Sequence, residues 1–597
     1  MPSKQTTFWS KSGRLKFLRR VNKIEKNVVR GADRFVFKRW QRIRKVRNQI
    51  IIWCLLVATI LLAVGLQIYF SQTGYRVLTM VSGGTYREGV VGKINSLNPL
   101  YATTEAEKSA SYLIFSRLFD YDSNGGLKND LAKSLSVSAD GLTYTVNIRN
   151  DVLWHDGKKL TAKDIKFTVD LLQNPNVKTS FGNAWRGIKV AQVGDYSIEF
   201  TLPAVYAPFR SALTFAILPE HILGRVEPSS LREIDFSTAP VGSGILRYQI
   251  LRTASAGGEN KQVLHLVPNE DYYQARSQLD RFELHAFVNF TDLYNAVRNN
   301  EISAASDVTF SEMKKYHDWQ FHQSALQNGV FAFFNNDREL IKKTDIRLAL
   351  RESLDLAKLR SDFAGQNGSW LPLDSPVLAN LLDESPAEPK NWLNLNSAAA
   401  HLVKAGYNLV DGKWLDANSN QLTLDLVTVK DAKYADLALH LAESWRQFGL
   451  AVNLEMVDLT NRNTDFVRGY LQPRNYDVLV YEVALGTDPD QFAYWHSSQK
   501  FGNGLNQANY ANTLADSLLS TARTSNDIVL RRAKYHKFIE QWQNDVPAIG
   551  LVQASYGYAT SGNVKTFTAR KALAVAEARY NEVSDFLVNY RLVYTTP

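Results

Sequence analysis

Between Ile50 and Phe70 the chain reads IIIWCLLVATILLAVGLQIYF, 21 residues without a charge. As a helix rising about 1.5 Å per residue this run spans about 31 Å, the thickness of bilayer hydrocarbon. Trp53 and Tyr69 stand near its ends, where aromatic rings favour the membrane interface. One transmembrane helix is expected, and no second uncharged run of that length follows. From residue 77 onward the pattern changes. Short alternating or β-branched segments (142–148, 197–202, 263–267, 422–427, 452–457 and 476–481) are interleaved with stretches of helical period (161–172, 291–298, 345–354, 397–404, 434–448 and 530–544). That alternation predicts α/β lobes. At 597 residues there must be more than one lobe, because single cores stop growing at about 250 to 300 residues.

Charge refines the picture. The chain carries +10 overall, yet residues 1–48 hold 16 Lys and Arg against Glu25 and Asp33, leaving the remainder mildly acidic at −4. No basic face for tracking phosphates is implied, so a nucleic-acid partner is not expected. The positive-inside rule places the basic arm in the cytoplasm and everything after about residue 71 outside, as a single-pass cell-membrane protein. A cleaved signal peptide is the weaker reading, since SQTGYRV offers no small-x-small cleavage site. Lipidation of Cys54 is disfavoured by Trp53 before it. With Cys54 the only cysteine, the exported part is expected to rely on its own core without disulfides. Leu15, Leu18, Val21, Ile24 and Val28 recur at helical spacing among the basic residues. An amphipathic helix on the anionic leaflet and an ordinary positive flank both remain open.

Catalytic constellations are missing from the sequence. HExxH, GxxxxGK[ST] and GxSxG do not occur, and the ten histidines are scattered singly. Gly242-Ser243-Gly244 in PVGSG lacks a third glycine and reads as a turn; Asp488 and Asp490 around Pro489 read as turn geometry rather than acid–base chemistry. Neither an enzyme activity nor a cofactor or metal is expected.

An ordered set of motifs then carries a resemblance. SLNPL (96–100), LFDYD (118–122), LAKSLSVSADGLTYTVNIR (131–149), VLWHDGKKLTAKDIKF (152–167), ILPEHI (217–222), PVGSG (240–244) and LVPNEDYY (266–273) are followed by FAFFNN (331–336), DIRLALRESLD (345–355), AAAHLVKAGY (398–407), FGLAVNLEMVD (448–458), YDVLVYEVALGTDPDQFAYWHSSQ (476–499), NQANYAN (506–512) and NDVPAIGL (544–551). Together they resemble the family 5 extracellular solute-binding proteins, the oligopeptide and dipeptide importer receptors. The resemblance implies a two-lobed periplasmic-binding-protein type II fold with an extra inserted domain, preceded here by the transmembrane helix. The expected division is a basic arm (1–48), the membrane helix (49–71), a first lobe in three pieces (76–115, 238–327 and 548–597), the inserted domain (116–237) and a second lobe (328–547).

The implied function is to bind short peptides in the interlobe cleft and deliver them to an ABC permease powered by separate ATPase subunits. Position in the family motifs nominates Trp370, Tyr481, Tyr494 and Trp495 as aromatic walls and Asn98 and Ser498 as polar contacts. In peptide-binding relatives an Asp three residues before the DPD element pairs with the peptide amine, but here that position is Leu485. Glu482 is the nearest substitute, although its parity places it on the other face of a regular strand. A receptor for an oligosaccharide, opine or metal chelate, or a membrane-tethered sensor, therefore stays open.

Overall fold

In hydrocarbon a backbone must satisfy its own polar groups, which a lone apolar segment does only as a helix. Trp40–Gly74 forms one, and its apolar span Arg47–Phe70, of mean hydropathy 2.6, is not buried against protein. This computed structural model describes residues 40–74, 76–122, 125–179, 185–256, 259–367, 370–384, 388–430, 432–459, 464–566 and 572–594. The basic arm through residue 39, with its Leu15 to Val28 face, lies outside them. Two units result, Met1–Thr79 with Tyr590–Pro597 and Met80–Asn589. The first contains the helix and most of a two-stranded pairing of Arg76–Val81 with Asn589–Tyr594.

The second unit is built on a twelve-stranded sheet. Its ten principal strands are β1 (Thr85–Val91), β2 (Leu246–Ala256), β3 (Glu259–Pro268), β4 (Arg281–Phe287), β5 (Ala304–Ser306), β6 (Trp319–Phe334), β7 (Thr423–Val429), β8 (Ala451–Val457), β9 (Val478–Ala484) and β10 (Ala548–Ser561). They lie in the order β8-β7-β9-β6-β10-β5-β1-β4-β3-β2. Parallel pairs on either side (β8-β7-β9 and β5-β1-β4) flank a central antiparallel pair, β6 and β10. Parallel strands need both faces covered. In β6 the run Val330 to Phe334 supplies this by sending Val330, Ala332 and Phe334 into one core and Phe331 and Phe333 into another. Helix Ala435–Gln447 crosses between β7 and β8, burying Leu437, Ala438, Leu441, Ala442 and Trp445 at helical spacing against the same face.

Both long strands belong to two lobes. Ala548, Ile549, Leu551 and Val552 pack in the second lobe's cores, whereas Tyr556 and Tyr558 pack in the first lobe's, so the expected boundary at 547/548 falls at the start of β10 and the cores change hands within it. A separate antiparallel sheet, Ala132–Val137, Thr143–Ile148, Ser197–Thr201 and Lys189–Gly194, is covered by helix Ala162–Gln173. Its core residues Tyr144, Val146, Ile165 and Phe200 are continuous with Tyr86, Leu113 and Leu284 of the first lobe.

The WHDG hairpin fastens this four-stranded module down. His155 donates its backbone N–H to the Gly242 carbonyl at 2.8 Å, while its ring accepts from Gly242 N–H through Nδ1 at 3.2 Å and donates through Nε2 to the Gly244 carbonyl at 3.0 Å. The glycines of PVGSG are small because the chain passes against helix Glu105–Ile114. A Cβ on Gly242 would lie 2.0 Å from the Ile114 oxygen, and one on Gly244 2.5 Å from that of Leu113. The expected turn at GSG is not formed: the backbone there is irregular with a bend at Gly244, and the glycines answer close packing instead.

Burial holds the His155 imidazole down at about 4, against the pull of the Gly244 carbonyl. A neutral ring favoured by folding contributes fully above the unfolded value of about 6.5 and loses that contribution as the pH falls toward 4. Between pH 7 and 5 the thermal midpoint of the parent is expected to fall more steeply than that of His155→Gln. Parallel slopes in the two melting series would contradict the assignment.

Close packing also dictates Gly329, where a Cβ would meet Leu373 Cδ2 at 2.6 Å and Phe331 Cε2 at 2.7 Å. Gly329→Val is expected to cost about 1–3 kcal/mol in denaturant unfolding through overpacking, while an unchanged midpoint would mean that the neighbours relax freely.

Candidate functional site

The ladder that joins the two lobes is irregular near its middle. Between Ala325 and Gly329 of β6, and Ser555 and Gln553 of β10, the pairing skips, the mark of a β-bulge. The freed groups are used locally: Gln327 O accepts from Leu485 N–H at 2.8 Å, Gln553 Nε2 donates to Leu326 O at 2.8 Å, and Gln323 Nε2 to Ser555 Oγ at 2.6 Å.

Beside this bulge the lobes are joined by charge. Asp307, just after β5, has a left-handed backbone (φ 58°) and its carboxylate receives the Lys433 ammonium, which also lies 3.3 Å from the Asp307 carbonyl oxygen. Lys433 comes from the other lobe, immediately ahead of helix Ala435–Gln447. Glu482, on β9, accepts from Asn328 Nδ2 at 2.8 Å. Burial raises the pKa of its carboxyl, Asn328 and Lys433 oppose the rise, and Asp307 adds to it.

A third carboxyl, Glu105, opens the helix Glu105–Ile114, whose start is fixed by a capping box between Thr104 and Glu107. Glu105 accepts from Tyr556 OH at 3.0 Å and pairs with Arg579 Nη1 at 2.9 Å. Its carboxyl is pushed up to about 7, because burial outweighs Arg579 and both Glu577 and Asp307 add repulsion. Beneath it Arg579 and Glu88, both 0% exposed, pair through Arg579 Nε and Glu88 Oε1 at 3.0 Å, with Tyr558 and Tyr580 donating to the same carboxylate at 3.0 and 2.8 Å.

Glu105 and Asp307 of the first lobe and Glu482 of the second thus lie around Lys433, whose ammonium is held by Asp307. Such an arrangement suits a positively charged group. Among the described residues no cluster of three or more His, Cys, Asp or Glu is arranged to hold a metal.

Of the residues nominated from sequence, Tyr481, Glu482 and Tyr494 come together. Tyr481 and Glu482 are neighbours on β9, and Tyr494 donates to the carbonyl of Ala484 at the end of that strand at 2.7 Å. Trp370 packs edge-on to Phe363, next to the short strand Leu371–Pro372 that pairs with β10 at Gln553. Ser498 is exposed and bonded to His496.

Asn98, Trp495 and Leu485 are enclosed by protein. Asn98, 0% exposed, caps the turn Pro99–Tyr101 by accepting from Leu100 N–H. Trp495, 0% exposed, stacks on Phe333 at 5.6 Å. Leu485, 2% exposed, packs with Phe331 and Val483 on the face opposite Glu482, as strand parity requires. Sequence reasoning missed Glu105, Asp307, Asn328 and Lys433. None lies in a motif with chemical meaning, and only the fold brings them together.

Residues 126–504 match the model of the bacterial extracellular solute-binding proteins, family 5 (middle). The chain belongs to this family. Oligopeptide-binding protein AppA of Bacillus subtilis is 29% identical over 473 residues, covering 77% of this chain and 83% of that one. The solved structure of AppA in complex with a nonapeptide superposes with a TM-score of 0.66 at 24% identity, over 86% of this chain and all of that one. NikZ from Campylobacter jejuni, in complex with Ni(L-His), superposes at 0.69 and 24% identity, over 84% and 99%. Both share the two-lobed α/β fold.

The side chain at 485 faces a closed core, so an acid placed there is buried without a partner. Leu485→Asp is expected to lose about 3–5 kcal/mol of stability in urea unfolding, the cost of an unpaired buried charge. A variant as stable as the parent would show that residue 485 reaches the cleft.

Proposed function

We propose that the protein is a membrane-anchored, extracytoplasmic receptor of an ABC importer. It encloses short peptides between its lobes and presents them to a permease whose ATPase subunits are separate chains. The observation that carries this reading is the set of three carboxylates, Glu105, Asp307 and Glu482, around Lys433 at the hinge of a family 5 chain. A peptide ammonium entering there meets carboxylates on both lobes, replacing the amine anchor that Leu485 cannot supply. The uncharged run at Ile50 to Phe70 behind a +14 arm supports an anchor with its N-terminus in the cytoplasm.

The core position of Leu485 favours one other reading, a solute without an α-amine such as an opine, oligosaccharide or metal chelate.

Native mass spectrometry of the full chain in nanodiscs, followed by thermal shift with di- to octapeptides and their N-acetylated forms, separates the two. Free-amine peptides are expected to co-purify or to stabilise by about 2.7 kcal/mol at a hundredfold excess over Kd. Acetylation or Glu482→Gln should weaken binding about tenfold or more. Stabilisation by a chelate, opine or sugar with no response to any peptide would remove the peptide reading and leave the receptor.

A further inference from the structure

The DPD element is unused by the site above, yet both its carboxylates are bound to arginines. Asp490, whose side chain is 6% exposed, pairs with Arg523 Nε at 2.9 Å, and Asp488 takes Arg531 Nη1 at 3.1 Å. Arg531 in turn donates through Nε to the Ala522 carbonyl at 3.1 Å, fixing the end of helix Thr513–Arg523. That helix belongs to the second lobe, its Leu518, Leu519 and Ala522 packing in the core of Phe331 and Trp495.

What this anchored helix end meets comes from the other side of the molecule. The Arg523 carbonyl accepts the N–H of Ala207 at 3.0 Å, and its guanidinium carbon lies 4.9 Å from the ring centroid of Tyr206 and 4.3 Å from that of Phe492. Tyr206 and Ala207 follow the strand Ser197–Thr201 of the four-stranded module, and the Tyr206 carbonyl is held by Tyr144 OH at 3.3 Å. The neighbouring turn is equally close: a Cβ on Gly141 (φ +72°) would lie 2.7 Å from Asn526 Nδ2. Because the module shares one core with the first lobe, it moves with that lobe, and this contact closes the lobes independently of Asp307 and Lys433.

We propose that the Tyr206–Ala207 edge of the module is an interaction surface for Arg523 of the second lobe. Together they form a clasp that holds the closed state, with Asp488 and Asp490 as its positioning residues. This rests on the reading that the lobes hinge around a solute. The chemistry suits a reversible contact: a backbone hydrogen bond, a side-chain hydrogen bond between Tyr206 and Arg523 and a guanidinium–aromatic contact, each modest in strength, so that the clasp adds to closure without locking it.

The test is double electron–electron resonance on the full chain in nanodiscs, in a Cys54→Ser background with spin labels at Ser136→Cys on the module and Asn418→Cys on the second lobe, both exposed positions. Tyr206→Ala and Arg523→Ala are each expected to shift the distribution to longer distances. Tyr206 lies outside the second lobe, so its variant reports on the contact even if Arg523→Ala disturbs its own helix. Lys433→Gln separates the possible failures. If it lengthens the distance and the clasp variants do not, the clasp is refuted and the hinged receptor stands. Should no variant change the distance, the lobes form one rigid body, and both the clasp and the hinged reading fall.

Discussion

Two strands, Trp319–Phe334 and Ala548–Ser561, carry the architecture, because each begins in one lobe and ends in the other while paired to its partner. The ladder they share skips between Ala325 and Gly329 and shifts again between Val330 and Phe331. Several residues of the candidate site are arranged around the first of these. Asn328 presents its amide to Glu482, Gln327 receives the backbone of Leu485, and Gly329 lets Leu373 and Phe331 approach.

Buried charge is the second organising feature. An isolated Glu88 or Arg579 at 0% exposure would be prohibitive, and the pair persists because Tyr558, Tyr580 and Ser109 complete its hydrogen bonds. Arg579 lies near the C-terminal end of the second unit and Glu88 near its start, so the pair also ties the first lobe's ends together. Glu105 stands above it, paired with Arg579 and Tyr556, its proton affinity raised by burial and by Glu577 and Asp307.

Motifs that look chemical in the chain serve packing in the fold. PVGSG is glycine-rich because Leu113 and Ile114 carbonyls leave no room for a Cβ, and TAKD places Asp164 to accept from the backbone N–H of Thr161 and of Glu220, both at 2.9 Å. The DPD carboxylates hold arginines instead of reacting groups. In the first two cases the small or polar residue answers a demand of the backbone; in the third it answers side-chain charge.

Element positions were legible because they depend on local periodicity. The expected strand at 452–457 is Ala451–Val457, the expected helix at 434–448 is Ala435–Gln447, and the apolar run lies within one helix. Strand parity likewise set Glu482 and Leu485 on opposite faces before any coordinates. The site was only partly legible: Tyr481, Glu482 and Tyr494 lie near one another in sequence, whereas Glu105, Asp307 and Lys433 come from segments more than a hundred residues apart. Whether Trp495 and Asn98 face a solute or a core depends on neighbours such as Phe333 and Leu231, which sequence spacing does not encode. By itself, then, the sequence determined the long apolar helix, the α/β alternation and the family, because each is written in local pattern or motif order. Only the tertiary structure decided which carboxylates meet at the hinge and what the DPD arginines touch, because charge pairing across lobes is a property of chain crossings rather than of any segment.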